Sequence, residues 1–240
     1  PPDVAQSMKI THAGTVHAVE NGHQVMNDTD LATEWRDQLI DEIRKDSTLA
    51  DIRDAEARQR SSIVFRGNIK EVKRYLFAAR GTNLNGRVEQ QGRTYVGRYC
   101  AFGSEFTTIN GNHRTDTVNM NIRLQKQLGF KTNHIRGQPN YVGHNVWAGT
   151  GVTLLNGAVV GSGSVLAAGS VITKDVLPFS IVGGTPAKFI KFRFTQSVIE
   201  QLLAISWWNW TVDRMSQNAD FFNASIGPDA DINLMKLVKD

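Results

Sequence analysis

Residues 142–177 read VGHNVW AGTGVT LLNGAV VGSGSV LAAGSV ITKDVL, six hexads in one register. The first place is held by Val142, Ala148, Leu154, Val160, Leu166 and Ile172, all apolar. The fifth place is small or β-branched throughout: Val146, Val152, Ala158, Ser164, Ser170 and Val176. A six-residue period is neither the 3.6 of an α-helix nor the 2 of an exposed strand, and it marks a repeat solenoid. Each hexad supplies one short strand and one corner, so three hexads close one coil of a triangular prism with the first-place side chains pointing inward.

The same register runs upstream in degraded form. Val72, Ala78, Leu84, Gln90, Val96 and Phe102 fill the first place, and Leu76, Thr82, Val88, Thr94, Cys100 and Phe106 the fifth. Gln90 alone fits poorly. Val96 and Val142 are 46 residues apart, which is not a multiple of six, so residues 108–141 read as an inserted loop. A loop of that length in a compact solenoid is usually functional. The chain thus divides into a partly helical N-terminal extension, 1–65, a β-helix, 66–190, and a helical tail, 191–240. Leu31, Trp35, Leu39 and Ile43 recur at spacing four and predict an amphipathic helix within 30–58 that caps the N-terminal end of the solenoid. Pro178 and Pro186 are expected to end regular coiling. Ser197 to Glu200 is expected to form a capping box, opening a helix with Val198, Ile199, Leu202 and Leu203 inward, and a second helix is expected from Thr211 to Phe222.

Composition narrows the function classes. Forty per cent hydrophobic residues without a long apolar run exclude membrane insertion by a helix. The 27 basic and 23 acidic residues include no Lys/Arg block suited to a nucleic-acid backbone. One cysteine, Cys100, excludes an intramolecular disulfide framework and fits a reducing compartment. The first residues, PPDVAQSMKITHAG, lack the basic and apolar regions of a secretory signal, and the expected location is cytoplasmic.

The inserted loop carries INGNHRTDTVNMN, with His113 between Asn112 and Arg114 and with Asp116 close by. Imidazole titrates near neutrality and can take a proton from a hydroxyl or amine at physiological pH. His113 is therefore the candidate general base.

The hexads, GNHRTD, the stretch VWAGTGVTLLNGAVVGSGSVLAAGSVITKDV, the turn GGTPAK and the tail QLLAISWWNW together resemble the hexapeptide-repeat xenobiotic acetyltransferases, a family that includes streptogramin A and type B chloramphenicol acetyltransferases. The resemblance covers roughly Val72 to Phe222. It implies a left-handed parallel β-helix, a homotrimer with each active site between neighbouring subunits, and acetyl-CoA as acyl donor. It implies His113 as the catalytic base and Trp147 beside the acetyl end of the donor. Ala167 and Ala168 would meet the pantetheine arm, and Gly149 and Thr185, the latter in the GGTPAK turn, would also bind the donor. Lys174, Lys188 and Arg193 would face the phosphates, and Asn112, Arg114 and Asp116 the acceptor. The chain departs from the family pattern at four points: Thr185 replaces the usual asparagine, Ala148 replaces a larger aliphatic residue, residues 1 to about 65 exceed what a compact antibiotic acetyltransferase needs, and the loop after Asp116 lacks the familiar aromatic and proline pattern. The acceptor is expected to be a hydroxyl of a sugar, a polysaccharide precursor or an antibiotic, attacked directly without an acyl-cysteine, since Cys100 falls on a packing position. Backbone N–H groups near Trp147 or Gly149 are expected to meet the oxyanion.

Three other readings remain. One is N-acetylation of an amino-sugar on the same fold. Another is a zinc enzyme of the γ-type carbonic anhydrase kind using His113, His134 and His144, although no metal is expected because these histidines have neither coil-compatible spacing nor an acidic partner. The last is a non-catalytic scaffold.

Overall fold

The computed structural model describes residues 29–67, 72, 75–132, 134–135 and 137–239. Residues 1–28 of the expected N-terminal extension lie outside them. Two compact units form: one is residues 43–190, the other the described residues on either side of it.

The first unit is a three-sided left-handed parallel β-helix; the hexads predict the prism and the family resemblance its hand. One face stacks strands Leu76–Ala78, Thr94–Val96, Asn140–Val142 and Val159–Val160, with Ala50–Asp51 added antiparallel at one edge. The second runs from Val64–Phe65 through Asn83–Leu84, Ala101–Phe102, Trp147–Ala148 and Val165–Leu166 to Ser180–Gly184. The third stacks Val88–Gln91, Phe106–Ile109, Thr153–Leu154 and Val171–Ile172. First-place residues of successive coils lie directly over one another: Ala78, Val96, Val142 and Val160 form one inward column, and all four are fully buried. Burying such a side chain stabilises by about 1.5–3 kcal/mol for the larger members, so the columns are the dominant favourable term.

The one misfit of the repeat, Gln90, and the small residue at 148 each have a local setting. At Gln90 the side-chain nitrogen donates to the Gly92 carbonyl while Oε1 is buried without a partner among the described residues, so this inward place is only half satisfied; in the same coil the buried hydroxyls of Thr94 and Thr108 bond each other at 3.0 Å. A buried polar group with a partner costs little. Ala148 stacks between Phe102 and Leu166, and the Phe102 ring, edge-to-face with Phe106 at 4.6 Å, supplies the bulk that a larger residue at 148 would otherwise supply.

Coiling does not stop at Pro178. Ile181 and Val182 pair parallel with Val165 and Leu166, so a further coil closes, shortened so that Val182 lies over Leu166. Proline is tolerated there because the flanking N–H groups carry the bonds: Val176 N–H to Val159 at 2.9 Å and Phe179 N–H to Ser162 at 2.9 Å. The coil also extends slightly further into the excursion than expected. Thr108 pairs with Leu154, the strand runs to Ile109, and coiling resumes at Asn140, leaving residues 110–139 outside the prism.

The expected N-terminal helix is two helices, Thr29–Lys45 and Ala55–Arg60. Trp35, Leu39 and Ile43 are buried, while the Leu31 side chain lies outside the described residues. Between the helices, Asp46 meets Arg98 of the coil at 2.6 Å and also accepts from the Thr48 backbone and hydroxyl. In the tail, Gln196–Ile205 opens at Thr195, whose hydroxyl accepts from the Val198 N–H, two residues before the expected cap at Ser197. Val198, Ile199 and Leu202 are buried and Leu203 is half-buried. The second helix breaks into Val212–Gln217 and Ala219–Asn223, because the buried Asn218 amide binds the Arg214 and Lys239 carbonyls instead. Trp207, Trp208 and Trp210 cluster with Phe221 and Phe222, so the WWNW motif forms the core of this second unit. Among the described residues, no helix is long and apolar enough to cross a membrane.

Candidate active site

The excursion leaves the coil through a tight mouth. The Asn110 side-chain amide donates to the carbonyls of Arg93 at 3.0 Å and Gln138 at 2.6 Å, and the Gln138 N–H donates to Asn156 Oδ1 at 2.6 Å. Gly137 passes so close to Asn110 that a Cβ there would lie 0.9 Å from the Asn110 carbonyl oxygen. No other residue fits. Beyond the mouth, Asn112 and His113 pair antiparallel with Ile135 and His134, and a short helix, Ile122–Gln127, is capped by Asn121, whose side chain accepts from the Leu124 N–H at 3.1 Å.

His113 is exposed, and its Nδ1 lies 2.6 Å from the Met120 carbonyl. A carbonyl only accepts, so Nδ1 carries the proton in the neutral ring and Nε2 keeps its lone pair. This is the tautomer a general base needs. The imidazole borders an open cavity of about 670 Å³ whose other walls are Asn121, Ile122, Arg123 and Lys126. Sequence reading singled out none of these four. None of the four belongs to a motif, and only the helix Ile122–Gln127 brings them together beside the imidazole.

Of the expected acceptor-binding residues, Arg114 and Asp116 form a two-pronged ion pair, Nε to Oδ1 at 2.8 Å and Nη2 to Oδ2 at 2.5 Å. The guanidinium holds the Asp116 carboxyl below its usual range, and the carboxylate raises Arg114 in turn. Both side chains are exposed, so they brace one turn of the loop. Asn112 lies in the two-residue ribbon opposite Ile135.

Four of the expected donor-binding residues, Gly149, Ala167, Ala168 and Thr185, follow strands of the second face and lie along one corner of the coil. Gly149 approaches Ala168 so closely that a Cβ there would lie 2.7 Å from the Ala168 nitrogen. Ala167 donates its N–H to Val182 at 2.9 Å, and the Thr185 hydroxyl reaches the neighbouring Gly169 carbonyl at 3.3 Å. Trp147, 59% exposed, stands on the outer side of the second face, two residues from Gly149. Lys174 and Lys188 are exposed. Arg193 is half-buried, and that burial lowers its pKa from the usual guanidinium value. Gly149, Ala167, Ala168 and Thr185 do not line the cavity beside His113, and their corner follows the second face whereas the excursion leaves the coil after the third, so within one chain the candidate base and this corner belong to different edges of the prism.

The geometry narrows the expectation of an oxyanion donor near Trp147 or Gly149. The Trp147 N–H donates to Ser164 at 3.0 Å and the Gly149 N–H to Leu166 at 2.8 Å, so both are committed to the coil ladder and neither can meet an oxyanion. It also bears on covalent catalysis. Cys100 is buried, with its thiol against the Gly143 carbonyl at 3.1 Å, and burial pushes it up to about 12. Of the three histidines in the zinc reading, His144 is buried in the coil wall with Nδ1 accepting from the Arg98 N–H at 3.0 Å, whereas His113 is exposed. Among the described residues, no three His, Cys, Asp or Glu side chains are placed to hold a metal ion.

Comparison with known proteins agrees with the hexads. Residues 141–174 match the bacterial transferase hexapeptide family of six repeats. A probable macrolide acetyltransferase of Lysinibacillus sphaericus is 35% identical over 146 residues, covering 55% of this chain and 78% of the relative. A chloramphenicol acetyltransferase of Klebsiella aerogenes is 33% identical over 150 residues, 59% of this chain and 68% of the relative. A virginiamycin A acetyltransferase of Staphylococcus aureus is 50% identical over a shorter span of 50 residues, 21% of this chain and 23% of the relative. With identity at that level over more than three quarters of the macrolide enzyme's length, on the coil the repeats predict, the chain belongs to the hexapeptide-repeat xenobiotic acetyltransferase family.

Proposed function

We propose that the protein transfers an acetyl group from acetyl-CoA to a hydroxyl of a sugar, a polysaccharide precursor or an antibiotic, with His113 as general base. The observation that carries this reading is the 2.6 Å contact of His113 Nδ1 with the Met120 carbonyl, which leaves Nε2 free to accept a proton. Nε2 removes the hydroxyl proton as the oxygen attacks the thioester carbonyl, and the tetrahedral intermediate then expels coenzyme A, whose sulfur leaves as a thiolate or takes the proton back from the histidinium. Its oxyanion is met by donors other than the Trp147 and Gly149 backbone. Transfer is direct: a buried thiol with a pKa of about 12 carries almost no thiolate at neutral pH and cannot form an acyl-enzyme.

The donor lies along the Gly149, Ala167, Ala168 and Thr185 corner with its acetyl end toward Trp147, and Lys174, Lys188 and Arg193 receive its phosphates. Because His113 and that corner are separate within one chain, the working site is assembled from two subunits of a homotrimer. Replacing His113 with Ala is expected to lower turnover by roughly 10²- to 10⁴-fold, the usual contribution of a positioned base, while acetyl-CoA binding persists. Release of free thiol reads the first and thermal stabilisation by acetyl-CoA the second. Undiminished transfer by the variant would remove His113 from the mechanism.

A further inference from the structure

The excursion carries an excess of positive charge. Residues 110–139 hold Arg114, Arg123, Lys126, Lys131 and Arg136 against the single carboxylate of Asp116, a net +4 that equals the formal net charge of all 240 residues. Asp116 is already taken by Arg114. Arg123 and Lys126 stand three apart on the helix Ile122–Gln127, on one face, and both line the cavity that His113 borders. Both are exposed, and among the described residues neither is in an ion pair. A cation without a local carboxylate, beside a catalytic base and open to a cavity, is suited to binding a charged group of the reactant that enters there.

We infer that Arg123 and Lys126 form an anion subsite beside His113, and that the acceptor carries a phosphate or carboxylate within reach of the hydroxyl to be acetylated. This rests on the reading of His113 as base and narrows the acceptor from any sugar or drug alcohol to an anionic one, such as a sugar phosphate or an acidic saccharide. The planar guanidinium of Arg123 suits a two-pronged bond to either group, and the Lys126 ammonium adds a point charge. Coenzyme A also carries phosphates. They are the competing source of anion, and the test separates the two.

The experiment titrates the assembled protein with inorganic phosphate, glucose 6-phosphate and glucose, following the His113 ring by nuclear magnetic resonance in histidine-labelled protein. Saturable shifts are expected with inorganic phosphate and glucose 6-phosphate and none with glucose at equal concentration. In the double variant Arg123→Gln, Lys126→Gln the dissociation constants rise at least tenfold, and the ring signal itself reports that the loop has kept its structure. Lys131→Gln removes one charge from the same excursion away from the cavity and leaves the affinities within twofold of the parent. Saturating coenzyme A leaves anion binding intact. Absence of a saturable shift with either anion overturns the inference, as does equal binding by the double variant or displacement of glucose 6-phosphate by coenzyme A. Failure of the underlying reading is a different result: His113→Ala retaining full transfer while anions still bind beside residue 113.

Discussion

A loop histidine becomes a base only when something fixes which nitrogen holds the proton. For His113, the base of the proposed mechanism, a backbone carbonyl, that of Met120, does so, and no side-chain motif announces it. The same holds for the ion pair that fastens the segment after the first helix to the coil. Asp46 and Arg98 are ordinary surface residue types in the sequence, yet their side chains are only 2% and 16% exposed and meet at 2.6 Å. Burial opposes the charge of Asp46, but the Arg98 guanidinium and the two bonds from Thr48 outweigh it and hold the carboxyl below its usual range. Breaking a buried pair by removing one charge costs about 3–5 kcal/mol. Asp46→Asn is therefore expected to destabilise by about 3 kcal/mol near pH 7, measured by urea denaturation. The unfolded carboxyl protonates near pH ~4 and the folded one only below that, so wild-type stability from this group falls as pH drops through that window. The difference between wild type and variant should shrink there; a difference that stays constant to pH ~3 would show that the charge is not what stabilises.

At the scale of elements, what was legible and what was not follows from the range of the interactions involved. The coil was readable because its period repeats in consecutive residues: each first-place residue from Val142 to Ile172 is buried as expected. The ends were less so, since Thr195 rather than Ser197 caps its helix and Asn218 breaks another, both through contacts with Ala230 and Lys239 far along the chain. The excursion was recognised from the break in register, and its residue content pointed to His113. How it is held was invisible, because the mouth depends on Asn110, Gly137 and Asn156, which are distant in sequence and ordinary in type. The same mouth yields a prediction for the element. Gly137→Ala places a methyl group inside the Asn110 carbonyl, so the two strands must part, at a cost of about 1–3 kcal/mol as for other overpacked sites. Acetyl transfer should fall at least tenfold because the base moves with the loop. Preserved transfer together with a lowered denaturation midpoint would mean that the excursion is anchored elsewhere.

For the whole molecule, a solenoid transmits little from one coil to the next beyond direct stacking, so the proposed reaction, which uses both the excursion and the donor corner, calls for another route to bring them together. In a cyclic homotrimer every interface is the same heterologous contact, which can set one subunit's excursion against its neighbour's corner three times over. That arrangement predicts rescue between two defective chains. Let His113→Ala chains, lacking the base, be co-assembled at equal ratio with Trp147→Ala chains, defective at the donor corner. If subunits mix at random, about three quarters of trimers contain both variants, and in each of these one of the three interfaces joins an intact His113 to an intact Trp147. About one quarter of wild-type activity should return, although each variant alone is nearly inactive. If instead both residues served the same chain's site, no mixture would exceed the average of its parents. The mixed trimers should also contain two kinds of donor corner by affinity for acetyl-CoA, because the His113→Ala chains keep theirs. At a hundredfold excess over its dissociation constant, acetyl-CoA should then stabilise the His113→Ala protein by the same ~2.7 kcal/mol as wild type, and the Trp147→Ala protein by less at that concentration.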